Sequence, residues 1–227
     1  MHNNVNVAER LSFLLNNRKI KKINPNQRML RNFRSASVLV LIVAGEGKKN
    51  EKLVFTKRTT NLTHHKGQIS FPGGKHDSNI DNSLLDTALR ETEEEIGILP
   101  DNYEVLGRLD DSLTVSRFIV TPYVAYSTKK ELEYSIRETE VENLIEVPIS
   151  HLLARKKGYY WTKWHFYKIR LFKIHYYRYD EFDVNNHSNH SEMESHIIWG
   201  ATGRILEPFL RIIERDDILR NYWIKEN

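Results

Sequence analysis

Residues 83–100, SLLDTALRETEEEIGILP, leave the chain little freedom in local structure. Leu85, Leu89, Thr92 and Ile96 recur at three to four residues with Ala88 beside them, the spacing of a helix with one buried face. Ser83 or Asn82 can cap its start, Gly97 suits a left-handed position past its end, and Pro100 prevents extension. Such a helix must pack on something. SVLVLIVA (37–44) is β-branched and continuously apolar, which fits a central strand covered on both faces. KLVFTKR (52–58) follows a turn and forms a hairpin with it. Further strands are predicted at 103–109, 118–126 and around 144–149. Residues 5–15 have the apolar spacing of a short amphipathic helix, which Pro25 keeps from continuing, and 201–223 reads as a closing amphipathic helix. ISFPGGKHD (69–77) is expected to be an irregular loop, forced by Pro72, Gly73 and Gly74. Residues 158–180 alternate aromatic and basic side chains in an extended stretch, and 183–195 is polar and read as a loop before 196–200.

A chain of 227 residues holds one large domain or one domain with appendages. The division expected is 1–34, a helix and a basic segment, and 35–227, the main domain. From Arg18 to Arg34 there are seven basic residues and no acid, which reads as a solvated linker, with an anion-binding arm as the alternative. No cysteine is present, so thiolate metal sites, disulfides and cysteine nucleophiles are excluded. The longest apolar run, Val38 to Ala44, falls far short of the roughly 20 residues that cross a bilayer. The N-terminus lacks the apolar core of a signal peptide, so a cytoplasmic enzyme or binding protein is expected, with no membrane partner. The net charge of +4 suits an anionic partner.

Glu91, Glu94 and Glu95 stand at i, i+3 and i+4, on one helix face that is expected to point away from the leucines. Three crowded carboxylates repel one another unless a cation sits among them. Oxygen-only donors suit a hard divalent ion, Mg²⁺ or Mn²⁺, that keeps waters and binds substrate phosphates.

Arg90-Glu91-Thr92-Glu93-Glu94-Glu95-Ile96-Gly97-Ile98 resembles the second half of the Nudix box, REUxEExGU with U apolar, with Thr92 in the first apolar position. Gly73-Gly74 is similar to the loop that opens the box. The usual spacing puts His76 and Asn82 in the glycine and glutamate positions, so Asp77 or Asp81 would stand in for the first glutamate. A second likeness is to coenzyme A pyrophosphatases of that family. It rests on Phe55-Thr56-Lys57-Arg58, Gly67-Gln68-Ile69-Ser70-Phe71-Pro72-Gly73-Gly74, Val120-Thr121-Pro122, Glu140-Val141, Glu146-Val147-Pro148 and Ile198-Trp199-Gly200-Ala201-Thr202. Thr63 replaces the arginine of that motif. The resemblance implies a Nudix-type α/β/α sandwich with a mixed β-sheet, the carboxylate helix on one side and the 201–223 helix on another. It implies metal-dependent hydrolysis of the pyrophosphate of coenzyme A or an acyl-coenzyme A to 3′,5′-ADP and 4′-phosphopantetheine, with other nucleoside diphosphate derivatives (ADP-ribose, NADH), or an RNA-binding or RNA-cap-acting Nudix protein, as the alternatives. Glu91, Glu94 and Glu95 would hold the metal. Glu91 or Glu140 would be the base, and Arg90 would orient the glutamates.

Arg58, His64, His65 and Lys66 precede the glycine loop and could meet the substrate's phosphates, as could the loop itself. Ser70, Thr114 and Ser116 have no local nucleophile signature. His187, His190 and His196 look like metal ligands but sit in a polar loop. Tyr159 to Lys168 interleaves aromatics with bases, which either forms strands at the rim of the site or stacks RNA bases. The three glutamates favour a small-molecule nucleotide over nucleic acid. Pairing with a second copy, as a homodimer, is left open.

Overall fold

In a computed structural model of the chain, residues 5–26, 30–45, 49–59, 67–129, 132–154, 158–164, 170–182 and 193–224 are described. The apolar run near residue 40 forms β1 (Arg34–Val43), and its alternation explains why it is apolar throughout. Val40 and Ile42 join one core cluster, while Leu39, Leu41 and Val43 join another on the opposite face. Each face is covered by helices. Helices α1 (Val7–Asn16), α4 (Gly200–Arg215) and α5 (Asp217–Trp223) supply Leu11, Leu15, Leu206, Phe209 and Trp223 to the first cluster. The end of α2 (Leu84–Ile96) supplies Ile96 to the second. The result is the expected α/β/α sandwich. At roughly 1.5–3 kcal/mol per fully buried leucine, Leu11 and Leu15 make α1 part of the core.

The sheet is mixed. β7 (Phe118–Ser127) runs parallel to β1 over ten positions, and the other pairings are antiparallel. β5 (Glu104–Arg108) and β6 (Ser112–Leu113) flank β7, and β8 (Val141–Pro148) runs along β2 (Lys52–Arg58). The hairpin of β1 and β2 is closed only at Ile42↔Leu53 and Val43↔Lys52. Beyond it the strands part: β3 (Ile69–Ser70) pairs with β2 and β4 (Gly73–Lys75) with β1. The predicted irregular loop at 69–77 is therefore two short strands bent at Phe71-Pro72, because each parting strand offers a free edge. This fork in the sheet is where the site forms.

Other expectations are corrected. The closing helix breaks at Asp216, which is extended and caps α5 by accepting the Leu219 N–H at 3.0 Å. Leu85 and Leu89 are only half-buried, and the inner face of α2 is Thr87, Ala88, Thr92, Glu95 and Ile96. Thr92 fits there because its hydroxyl donates to the Ala88 carbonyl at 2.7 Å. The stretch 158–180 is two strands, β9 (Gly158–Trp164) and β10 (Arg170–Phe182), which with β11 (Met193–Ile198) form a separate antiparallel sheet. Residues 193–195 thus belong to a strand. The basic segment is tied down in part. Arg18 pairs with Asp110 at 2.9 Å, and the Lys21 and Ile23 N–H groups donate to Asp110 and Asp111. A short helix, α3 (Ile149–Ala154), follows β8. Among the described residues no helix is long and apolar enough to cross a membrane.

Candidate active site

Helix α2 is delimited as the sequence implies. Ser83 caps it by accepting the Asp86 N–H at 3.1 Å, and Gly97 closes it at φ 74° with its N–H on the Glu93 carbonyl. Glu91, Glu94 and Glu95 share the flank that faces the fork. Their environments differ. Glu94 is half-exposed, Glu91 is more enclosed, and Glu95 is 2% exposed, so it does not point away from the packed face as expected. Burial pushes the Glu95 carboxyl up to about 8, and the nearby Glu91 and Glu140 add to the rise; the Gly73 N–H, at 3.1 Å, and Arg58 oppose it. Burial raises Glu91 as well, against the pull of Arg90.

Arg90 organises the group. Its guanidinium donates to both oxygens of Asp81, at 2.8 and 3.1 Å, and also reaches Glu91 at 2.9 Å and Glu94 at 3.1 Å. Asp81 is buried, and its hydrogen bonds from Arg90 hold it well below the usual carboxylate range, helped by the Asp77 N–H and the Thr87 hydroxyl. Of the two aspartates offered by sequence, Asp81 is therefore the one on Arg90, while Asp77 turns the preceding loop by accepting the Asn79 N–H. His76 bonds Thr87 at 2.8 Å, and Asn82 is exposed.

The two glycines let the loop pass close to its neighbours, Gly73 against backbone and Gly74 against the Glu91 side chain. A Cβ on Gly74 would lie 2.3 Å from the Glu91 carboxyl carbon. Gly73 has φ 148°, and a Cβ there would lie 2.3 Å from the Ser37 carbonyl oxygen. Arg58 ends β2 at a bulge, with its Nη1 3.7 Å from Glu95 and its buried Nε without a partner among the described residues. The Thr59 N–H donates to the Glu140 carbonyl at 3.1 Å, which brings Glu140 to the same rim.

These groups line a cavity of about 840 Å³. Glu91, Glu94, Glu95, Glu140, Arg58 and Lys75 supply its charged lining, and Leu113, Val115, Phe118, Val120 and Trp199 supply apolar lining. Arg204 also lines it and donates to the Leu113 carbonyl at 2.7 Å. The Thr202 hydroxyl donates to the Ile69 carbonyl at 2.9 Å, fixing α4 to the fork. Sequence reasoning singled out Trp199 and Thr202 only through resemblance. It missed Lys75, Arg204 and Arg137, whose roles depend on chain crossings far apart in sequence.

The carboxylates offer only oxygen atoms as ligands, and Gly74 lets the Glu91 carboxylate lie against the loop backbone, so the set fits a hard divalent cation. Among the described residues no three acidic or imidazole groups converge on one ion-sized point. Arg90 and Arg137 hold the glutamates instead, Arg137 at 3.3 Å from both Glu94 and Glu140.

His64, His65, Lys66 and Thr63 lie outside the described residues, as do His187, His190 and the side chains of 159–168. His196 is buried in β11, stacked on Tyr179. Ser70 bonds Thr56, and Thr114 bonds Ser116, so none of the three is set beside a base.

A Nudix domain profile matches residues 33–168. The protein named uncharacterized Nudix hydrolase NudL in Yersinia enterocolitica is 36% identical over 175 residues, 77% of this chain and 79% of that one. NudL of Photorhabdus laumondii is 29% identical over 208 residues, 90% of this chain and 98% of that one. A C. elegans Ap4A hydrolase structure is 17% identical, covers 50% of this chain and 80% of its own, and gives a TM-score of 0.43. The extent of the profile and the identity to NudL place this chain in the Nudix family, hydrolases that cut the pyrophosphate bond of nucleoside diphosphate derivatives.

Proposed function

We propose that this chain hydrolyses the pyrophosphate bond of coenzyme A, or of an acyl-coenzyme A, to 3′,5′-ADP and the 4′-phosphopantetheine half. The supporting observation is a cavity whose lining combines carboxylates and cations with a set of apolar side chains, Leu113, Val115, Phe118, Val120 and Trp199. A pyrophosphate joined to a long, weakly polar arm matches that combination. ADP-ribose and NADH bring polar sugars to both sides.

Nudix hydrolases generally use Mg²⁺ or Mn²⁺, and here Glu91, Glu94 and Glu95 would hold the ion. When bound, it neutralises pyrophosphate oxygens and lowers the pKa of a bound water. Arg90 keeps the glutamates aimed while itself anchored on Asp81. Arg58 would meet a phosphate: it lines the cavity, and its Nη1 lies only at the edge of Glu95's reach. Glu91 or Glu140, both lining the cavity, takes the proton of the attacking water. Arg58, with His64, His65 and Lys66, is assigned the extra 3′-phosphate.

The test compares coenzyme A, dephospho-coenzyme A and ADP-ribose under Mg²⁺, with products resolved by chromatography. Losing a charge-assisted contact to the 3′-phosphate costs about 1.5–3 kcal/mol, so the second and third substrates should be roughly ten- to a hundred-fold poorer. Equal efficiency on all three removes the coenzyme A reading and leaves the family activity.

A further inference from the structure

Arg90 and Arg137 both contact the cavity's carboxylates, but they are held differently. Arg90 is clamped by a buried aspartate. Arg137 belongs to the segment 132–140 between β7 and β8, whose backbone is bound to the end of α2. The Ser135 N–H donates to the Ile96 carbonyl at 2.9 Å and the Arg137 N–H to the Glu95 carbonyl at 3.0 Å. A Cβ on Gly97 would fall 2.6 Å from the Ser135 Cβ, so the crossing is close. Tyr134 packs with the core and donates to Glu146 at 2.6 Å. The backbone is thus tied to buried elements, while the side chain meets only half-exposed carboxylates. Arg137 is about half-exposed, and a single nitrogen stands 3.3 Å from an oxygen of Glu94 and from one of Glu140.

One cationic nitrogen between two carboxylates of the cavity wall stands where a hard cation would compete for the same oxygens. Exposed pairs of this length are weak, and a divalent ion brings twice the charge. We propose that Arg137 is a displaceable counter-ion: a divalent cation drives it off Glu94 and Glu140, and the released guanidinium then binds a phosphate oxygen of the nucleotide. The inference rests on the carboxylates being the metal site. It makes Arg137 a substrate-binding residue of the loaded protein and a competitor of metal in the empty one.

The experiment titrates Mn²⁺ into native protein, Arg137→Ala and Arg137→Lys, following the free ion by electron paramagnetic resonance. ADP affinity is then measured in saturating Mg²⁺. Arg137→Ala should bind Mn²⁺ about two- to five-fold tighter, the size of an exposed ion pair removed, with Arg137→Lys near native. ADP should bind Arg137→Ala about ten-fold more weakly, the loss of one charge-assisted contact. A purely structural arginine would move neither reading in this pattern. Unchanged or weaker Mn²⁺ binding by Arg137→Ala, or unchanged ADP affinity, overturns the proposal while the metal site stands. If the native protein binds no Mn²⁺, the site reading and this inference fall together.

Discussion

Two buried aspartates on opposite faces of the sheet are each held by one arginine, and the outcomes differ. Arg10 of α1 directs its contacts onto Asp216 at the elbow of α4 and α5, and its guanidinium lies 5.4 Å from the centre of the Phe13 ring. Arg90 of α2 spends two contacts on Asp81 and still reaches Glu91 and Glu94. In both pairs the arginine's hydrogen bonds hold the aspartate below the usual carboxylate range. The same bond therefore fastens a fold in one place and aims a site in the other. What separates them is where the remaining donors of the guanidinium point.

The largest effect is expected at the carboxylates that only the second region has. Glu95→Gln keeps shape and hydrogen bonding but removes a ligand charge, and kcat in saturating Mg²⁺ should fall on the order of 10²–10⁴-fold. Full activity in this variant contradicts the metal assignment. The same variant should reveal a pH effect on stability in EDTA. A carboxyl raised to about 8 favours the fold fully below its ordinary value near 4.5, and the native protein loses that contribution as pH rises toward 8. Glu95→Gln lacks the loss, so at pH 8–9 it should be more stable than native by ~2–3 kcal/mol in urea unfolding.

Next come the anchors. Asp81→Asn leaves Arg90 without its ionic partner, and metal affinity or kcat should drop roughly ten- to a hundred-fold, the usual cost of losing a group that orients metal ligands. Asp216→Asn should leave kcat within about two-fold. Steady-state kinetics on the pair decides whether the two regions have separate roles. Smaller is the structural loss: Asp216→Ala removes both the cap and the partner of Arg10 and should cost about 2–4 kcal/mol by denaturant midpoint, with the site unaffected. Smallest is the acid limb. Both aspartates have depressed values, so their contribution is present above the ordinary value near 4 and is lost as pH falls below it toward the depressed folded values; Asp216→Asn should flatten that limb.

Sequence reading reached the sheet strands and the ends of α2 because these depend on local chemistry: β-branched runs, Ser83, Gly97. It reached the glutamate triplet through spacing alone. It misplaced Glu95, since a helix pattern says which residues share a flank but not how deep the neighbouring fork buries each one. The fork depends on where β1 and β2 part, a choice made by the edges that β3 and β4 occupy. The break at Asp216 was hidden because the apolar period of 201–223 continues across it; only Arg10, more than 200 residues away, shows why the chain turns there. Arg137 escaped notice for a similar reason, being brought to Glu94 by backbone bonds to the end of α2.

If the α2 carboxylates work through a divalent ion, activity must follow that ion. The most direct measurement is pyrophosphate-bond cleavage of coenzyme A by native protein stripped with EDTA, dialysed, and given Mg²⁺ in steps. Cleavage should be absent in EDTA and return saturably with Mg²⁺; cleavage at the same rate with and without the metal rules out a role for the ion.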